Sequence, residues 1–270
     1  MDSRSESARI SRDLAQRLQR ALTAGCEELF GIMQDPALEV VRTALKNRAL
    51  EESHLLALLK RRDLSEDLLQ AVYRMEQAKG SHKVHLALIK NPHLPAPILQ
   101  TLLPLLHLFE LADICFLPGV VPDQKLAAER LLIQRLSTTP LGNKITLARR
   151  ASSAVVAAIL KEGHVALMEA CLGNPRLQEM AIAQFLRGPT ANAETISIIA
   201  RHPRWKARQA LRDAILKNPQ TPGVWFTLWL PGMRGPEILQ LSASRRLTPS
   251  QKKLIKEELR RRGLRHSGRT

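Results

Sequence analysis

Apolar residues recur at three- and four-residue spacing along most of the chain. Between residues 11 and 33, for example, Leu14, Leu18 and Leu22 lie four residues apart, like neighbours on one face of an α-helix. Pro, Gly and Asn interrupt the pattern at intervals, and no long stretch alternates apolar and polar residues as a half-buried strand does. The pattern therefore predicts an all-α fold made of many short helices.

One interrupting segment occurs twice. Residues 90–95 read Lys-Asn-Pro-His-Leu-Pro, and residues 217–222 read Lys-Asn-Pro-Gln-Thr-Pro, at an offset of 127 positions. At this offset, 12 identities fall between positions 87 and 135 without a gap. Self-similarity at a fixed offset is typical of repeat architectures. The sequence therefore predicts an internal duplication, each copy spanning several helices.

The duplicated segment predicts a corner between two antiparallel helices. Asn tolerates the left-handed conformation that closes a helix, and the proline after it cannot continue one. The second proline, Pro95 or Pro222, has a φ suited to the first position of the next helix. Weaker relatives of the corner occur at residues 46–48 and 173–175. Four corners predict stacked helix pairs, the alternative being an ordinary bundle in which Asn-Pro dipeptides recur by chance.

Two runs beside these corners carry a family resemblance. Residues 41–47 and residues 203–211 resemble HEAT repeats and the related variant leucine-rich repeats, and the likeness extends over most of residues 30–262. The resemblance implies a right-handed α-solenoid of stacked antiparallel helix pairs. Members of such families mostly bind proteins, and a few bind nucleic acid. Some variant leucine-rich repeat proteins also have a cysteine-rich cluster-binding segment, to which nothing in this chain corresponds.

The Pro, Gly and polar residues that interrupt the apolar pattern also predict a division into segments. Residues 1–10 are polar and are predicted to be a disordered N-terminus, and residues 264–270 a disordered tail. A linker is predicted at residues 137–143, which contain Pro140 and Gly142. It would separate an N-terminal helical-repeat half, residues 11–136, from a C-terminal half, residues 144–263.

Positive charge is concentrated at the C-terminal end. The net charge is +16, and residues 201–270 hold 17 Lys and Arg against four Asp and Glu, a net +13. Such asymmetry predicts an anionic partner at this end, although a merely solubilising surface is the open alternative. Four-residue spacing on a helix predicts two rows of cations, and three tryptophans fall nearby. The candidate partner-binding residues are Arg201, Arg204, Trp205, Arg208, Arg212, Lys252, Lys256 and Arg260.

The aromatic residues leave the kind of partner open. Trp225 and Trp229 align with Ile98 and Leu102 of the first copy and are predicted to be core residues, whereas Trp205 is equally compatible with either environment. One hypothesis is a non-catalytic scaffold that docks an acidic protein surface. A second is a nucleic-acid-binding protein whose arginines contact phosphates. A third, suggested by HEAT-like enzymes that excise alkylated bases, lacks a matching carboxylate.

The sequence contains no recognisable catalytic or metal-binding motif. His82, His85 and His93 have no carboxylate or thiolate near in sequence, so they are predicted to be ordinary surface or packing residues. Glu110 and Asp113 are three apart and are predicted to face solvent rather than to form an acid–base pair. We therefore predict no enzyme activity, no cofactor and no small-molecule substrate.

Three cysteines, Cys26, Cys115 and Cys171, are far apart and are predicted to be small buried residues in a reducing compartment. The N-terminus lacks the apolar segment of a secretory signal. The most apolar stretch, residues 94–121, contains prolines and carboxylates, which argues against a membrane span. The predicted location is the cytoplasm.

Overall fold

The computed structural model describes residues 3–263, with side chains from Arg12 onward. Over that range the chain forms 19 α-helices, most of them seven to ten residues long, and no strand. The predicted all-α fold is therefore confirmed. The chain divides into two compact units, Met1–Leu132 and Ile133–Thr270. The predicted disordered tail, residues 264–270, lies outside the described residues.

The first unit contains ten helices, the last of which continues into the second. They are α1 (Ser3–Thr23), α2 (Cys26–Ile32), α3 (Leu38–Ala44), α4 (Glu52–Leu58), α5 (Glu66–Tyr73), α6 (Glu76–Lys79), α7 (His82–Ile89), α8 (Ala96–Leu102), α9 (Leu108–Ile114) and α10 (Pro122–Arg135). A 3-10 turn, Leu103–Leu105, follows α8.

The second unit contains nine further helices. They are α11 (Leu141–Arg150), α12 (Ser153–Lys161), α13 (Val165–Leu172), α14 (Glu179–Arg187), α15 (Ala193–Arg201), α16 (Gln209–Leu216), α17 (Gly223–Trp229), α18 (Gly235–Ser242) and α19 (Pro249–Arg261). A 3-10 turn, Leu230–Gly232, follows α17.

Helices contact near neighbours along the chain. In the first unit α1 lies against α3 and α4 against α7, and in the second unit α11 lies against α13, α14 against α16, and α17 against α19. Each short helix buries one apolar face against these neighbours. Around α17 and α19, for instance, the core includes Phe226, Leu230, Ile238, Ile255 and Leu259. This local pairing is consistent with a helical repeat.

The duplication is visible in the helix bounds. Helices α7, α8, α9 and α10 begin at His82, Ala96, Leu108 and Pro122, and α16 to α19 each begin 127 residues later. The 3-10 turns at Leu103–Leu105 and Leu230–Gly232 keep the same offset. The repeated sequence thus specifies the same series of elements in both units.

A buried asparagine organises each corner, though not in the predicted way. No described residue other than glycine has a positive φ, so Asn91 and Asn218 do not close helices in the left-handed conformation. Their side chains instead bridge chain segments. The Nδ2 of Asn174 donates to the backbone oxygens of Ala148 at 2.6 Å and Ala151 at 3.1 Å. Its Oδ1 accepts from the backbone N–H of Arg176 at 2.7 Å.

The other three corners repeat this arrangement. Each asparagine is buried, donates to one or two backbone oxygens of a preceding segment, and accepts from the backbone N–H two residues further on. Asn47 donates to Ala21 and Ala24 and accepts from Ala49. Asn91 donates to Arg61 and accepts from His93. Asn218 donates to Leu186 and accepts from Gln220. Satisfying buried backbone groups in this way links successive helix pairs.

A glutamine closes the corner in both copies of the duplication. Gln124 Nε2 donates to the backbone oxygen of Asn91 at 3.0 Å. Gln251, its equivalent 127 residues later, donates to the backbone oxygens of Asn218, Pro219 and Thr221 at 3.0–3.2 Å. The predicted N-cap of α19 is also present, because Thr248 Oγ1 accepts from the backbone N–H of Gln251.

Several local features of the structure differ from the pattern read in the sequence. Residues 3–10, predicted to be disordered, belong to α1. Helix α11 begins at Leu141, inside the predicted linker 137–143. Pro95 and Pro222 are N-caps rather than first helical residues, with φ of −56° and −60°.

The cysteines divide into two environments. Cys115 and Cys171 are buried as predicted, and burial raises the pKa of both thiols to about 12. Cys26 is exposed, which contradicts the prediction for that residue. Its Sγ lies 3.6 Å from Nε2 of His54.

Candidate anion-binding surface

The arginine row predicted around α16 does not lie on one helix. Helix α16 begins at Gln209, so it carries Arg212, while Arg208 is its N-cap and Arg204 lies in the preceding turn. Four-residue spacing places side chains in one line only inside a helix. The prediction of a continuous row through these three arginines was therefore wrong.

Arg204 is bound within the protein. Its Nη1 donates to the backbone oxygen of Asn174 at 2.7 Å, and its Nη2 to those of Pro175 at 3.1 Å and Leu177 at 3.4 Å. Its guanidinium carbon lies 4.4 Å from the centre of the Trp205 ring. Arg204 thus stabilises the Asn174 corner, and few of its N–H groups remain for a partner.

The tryptophans belong largely to the core. Trp205 is only 3% exposed, and its Nε1 donates to the backbone oxygen of Leu172 at 3.0 Å. Trp225 is buried as predicted, and its Nε1 donates to Ser197 Oγ at 3.1 Å. Trp229 is half-buried, with its ring centre 5.1 Å from that of Trp225. Neither Trp205 nor Trp225 therefore presents a free ring to solvent.

Two of the candidate arginines lie over these rings. The guanidinium carbon of Arg201, at the end of α15, is 5.9 Å from the Trp225 ring centre. That of Arg212 is 5.6 Å from the Trp229 ring centre, and Arg212 Nε donates to the backbone oxygen of Lys206 at 2.7 Å. Such cation–π contacts orient a guanidinium while keeping its charge. Arg201 is exposed, so its charge faces solvent.

The cations along α19 are less constrained, with Lys256 and Arg260 exposed and Lys252 half-buried. Lys252, Lys256 and Arg260 lie at four-residue spacing inside one helix, as predicted, and none has an ion-pair partner among the described residues. Arg208 is exposed and is 3.8 Å from Glu179, a contact that solvent weakens. These four residues keep most of their charge available.

The last turn of α19 is neutralised internally. Glu258 is buried, with its carboxylate 2.6 Å from Arg262 Nε and 2.9 Å from Arg261 Nη2. Burial raises the pKa of Glu258, but the hydrogen bonds from Arg262 and Arg261 outweigh it and hold the pKa below its ordinary value. Arg262 also donates to the backbone oxygens of Met233, Leu230 and Pro231 at 2.6–2.7 Å.

An additional basic cleft adjoins the Asn218 corner. It has a volume of about 290 Å³ and is lined by Arg187, Arg246, Asn218, Gly188 and Pro189 among others. Both arginines are exposed, and no carboxylate lines the cleft. The sequence did not predict that Arg187 and Arg246 lie together, because they are far apart in the chain. Only the repeated corner at Asn218 could have indicated that their loops meet.

Apolar surface accompanies these charges on α17. Val224 and Leu228 are four residues apart and are 60% and 62% exposed. Leu228 shares a pocket of about 150 Å³ with Arg212 and Trp229. Arginine and tryptophan are enriched at protein interfaces, and the exposed Leu228 adds apolar surface beside them.

The one acidic residue between 201 and 236, Asp213, lies in a confined position. It lines a small pocket of about 30 Å³. Burial raises the pKa of Asp213, although Lys217 and a hydrogen bond from Gln209 oppose the shift.

Comparison of the chain with protein-family models, with curated proteins and with solved structures gives no match. Within the described residues, no helix combines the length and the apolarity needed to cross a membrane.

Proposed function

We propose that the chain is a non-catalytic binding scaffold, built as a right-handed α-solenoid of HEAT-like repeats, whose basic C-terminal end docks an acidic protein. The repeated Asn corner and the matching helix bounds support the architecture. The observation that carries the function is the basic row on α19, in which Lys256 and Arg260 are exposed and Lys252 is half-buried, and which no described carboxylate neutralises. Unpaired surface cations attract an acidic partner and select against a basic one.

The neighbouring apolar surface favours a protein over a nucleic acid. Nucleic-acid binders without sequence preference stack bases on exposed aromatic rings. Here Trp205 and Trp225 are buried and their N–H groups are bonded internally, which leaves no stacking platform at these two positions. By contrast, exposed Leu228 beside Arg212 offers the apolar contact and the cation that an amphipathic acidic segment needs.

Site-specific photo-crosslinking in the native host tests this proposal. A photo-reactive amino acid replaces Leu228, which is 62% exposed, and, as the matched control, Leu105 of the first unit, which is 52% exposed. We expect Leu228 to crosslink to a protein rich in Asp and Glu, and the product to disappear when Lys252→Glu/Lys256→Glu/Arg260→Glu is added.

The alternatives give different products. Crosslinks at Leu228 that nuclease treatment removes would support the second candidate, a nucleic-acid-binding protein that contacts phosphates. Identical products from Leu228 and Leu105, unaffected by the charge reversal, would contradict docking at the basic end altogether.

A further inference from the structure

Two histidines and a glutamate meet in the first unit although they are distant in sequence. His82 is the first residue of α7, His107 is the N-cap of α9, and Glu110 is the third residue of α9. The Nε2 of His82 lies 2.8 Å from both carboxylate oxygens of Glu110. The rings of His82 and His107 have centres 4.8 Å apart, and one ligand atom from each of the three residues lies within 4.8 Å of the other two.

We propose that His82, His107 and Glu110 form a binding site for a divalent transition-metal ion of the zinc type. Imidazole nitrogen and carboxylate oxygen are ordinary ligands of Zn²⁺, and two histidines with one glutamate are a known ligand set. Three protein ligands leave a fourth position of a tetrahedral ion open for water or for a group from a partner. Hard ions such as Mg²⁺ and Ca²⁺ prefer oxygen ligands, which makes them poorer occupants.

The ligand atoms must move closer together to hold such an ion. A tetrahedral zinc ion with ligand distances of about 2.1 Å holds its ligand atoms about 3.4 Å from one another. The ligand atoms of the three residues lie up to 4.8 Å apart, and His107 is exposed, so its ring has room to turn towards the other two residues. The backbone N–H of His107 donates to Glu110 Oε2 at 2.8 Å. This bond fixes the carboxylate and leaves Oε1 to face the ion.

The equivalent positions in the second copy of the duplication carry an arginine and a glutamine in place of the two histidines. At the offset of 127, the positions of His82, His107 and Glu110 are occupied by Gln209, Arg234 and Glu237. Arg234 Nε donates to Glu237 Oε1 at 2.8 Å, and the backbone N–H of Arg234 donates to Oε2 at 3.1 Å.

The equivalent carboxylates, Glu110 and Glu237, therefore accept the equivalent backbone hydrogen bond in both copies. In the second copy the guanidinium of Arg234 supplies a positive charge beside it. In the first copy an imidazole replaces the guanidinium and a second imidazole replaces Gln209, so a bound cation supplies that charge instead.

The experiment is a calorimetric titration of the tag-free full chain with Zn²⁺. All proteins carry Cys26→Ser, because Cys26 is exposed and cysteine thiolates bind zinc, so this residue would compete with the cluster. We expect one equivalent of Zn²⁺ to bind. His82→Gln/His107→Arg, which installs the residues of the second copy, should abolish this binding without changing the far-UV circular dichroism. His93→Ala, an exposed histidine outside the cluster, should bind like the parent.

A reciprocal variant keeps the test independent of folding defects in the first unit. Gln209→His/Arg234→His transfers the two imidazoles to the second copy, beside Glu237, and should raise the stoichiometry from one to two. Zinc binding by the parent that His82→Gln/His107→Arg leaves unchanged would overturn the proposal, as would a parent that binds no zinc. A stoichiometry that stays at one in the reciprocal variant would contradict the claim that these positions create the site.

Discussion

Replacing Asn174 by alanine removes the bonds that join one helix pair to the next. The amide donates to two buried carbonyls, those of Ala148 and Ala151, and accepts from the N–H of Arg176. Each hydrogen bond contributes about 1 kcal/mol net, and a buried group left unpaired costs about 1–3 kcal/mol. We therefore expect Asn174→Ala to lower the free energy of unfolding by about 3 kcal/mol.

The tryptophans provide a local probe for this measurement. All three lie in the unit Ile133–Thr270, and the Trp205 indole donates to Leu172 beside the corner. Urea denaturation followed by tryptophan fluorescence therefore reports the unit that contains Asn174.

The matched control is Asn143→Ala, an exposed asparagine in α11, for which we expect a change within about 0.5 kcal/mol. Asn174→Asp should destabilise at least as much as alanine at neutral pH, because a carboxylate would then face two carbonyl oxygens. A value for Asn174→Ala as small as that of the control would refute the role of the buried amide.

Two further predictions concern the C-terminal helices. Glu258→Gln should destabilise at neutral pH, because the lowered pKa of Glu258 reflects its charged contacts with Arg262 and Arg261. This stability is lost as pH falls through and below 4.5, the ordinary value, so urea titrations of mutant and wild type should converge in acid. Phe226→Ala empties a fully buried position and should cost about 3–5 kcal/mol in the same assay. Leu228→Ala on the exposed side of α17 should change stability by less than about 0.5 kcal/mol, and similar values for the two would contradict the assigned burial.

The duplicated segment predicted the architecture well because it encodes local geometry. Apolar spacing and Pro positions gave helices whose bounds repeat at the offset of 127. The role of the asparagine was not predictable from local conformational preference alone. Its partners at Asn174 are 23 and 26 residues earlier in the chain, so only the tertiary contact reveals why an amide is needed there.

The candidate surface was harder to predict because charge in a sequence does not reveal what each charge contacts. Arg204 was predicted to contact a partner, yet it donates to three backbone oxygens of earlier segments, as Arg262 also does. Lys252, Lys256 and Arg260 kept their predicted row because the well-capped α19 contains all of them. Glu110 was judged by its sequence neighbours, whereas its contact with His82 spans 28 residues.

The proposed docking is tested most directly by fluorescence anisotropy with a labelled peptide rich in Glu and Leu, alongside short DNA and RNA strands, at about 50 and about 200 mM salt. The variants are Lys252→Glu/Lys256→Glu/Arg260→Glu and a control with the same change in net charge, Arg48→Glu/Lys60→Glu/Lys83→Glu, at exposed positions of the first unit.

We predict that wild type and control bind the peptide with equal affinity and that the α19 variant binds at least about tenfold more weakly. Equal affinities for all three proteins would contradict docking through the basic end.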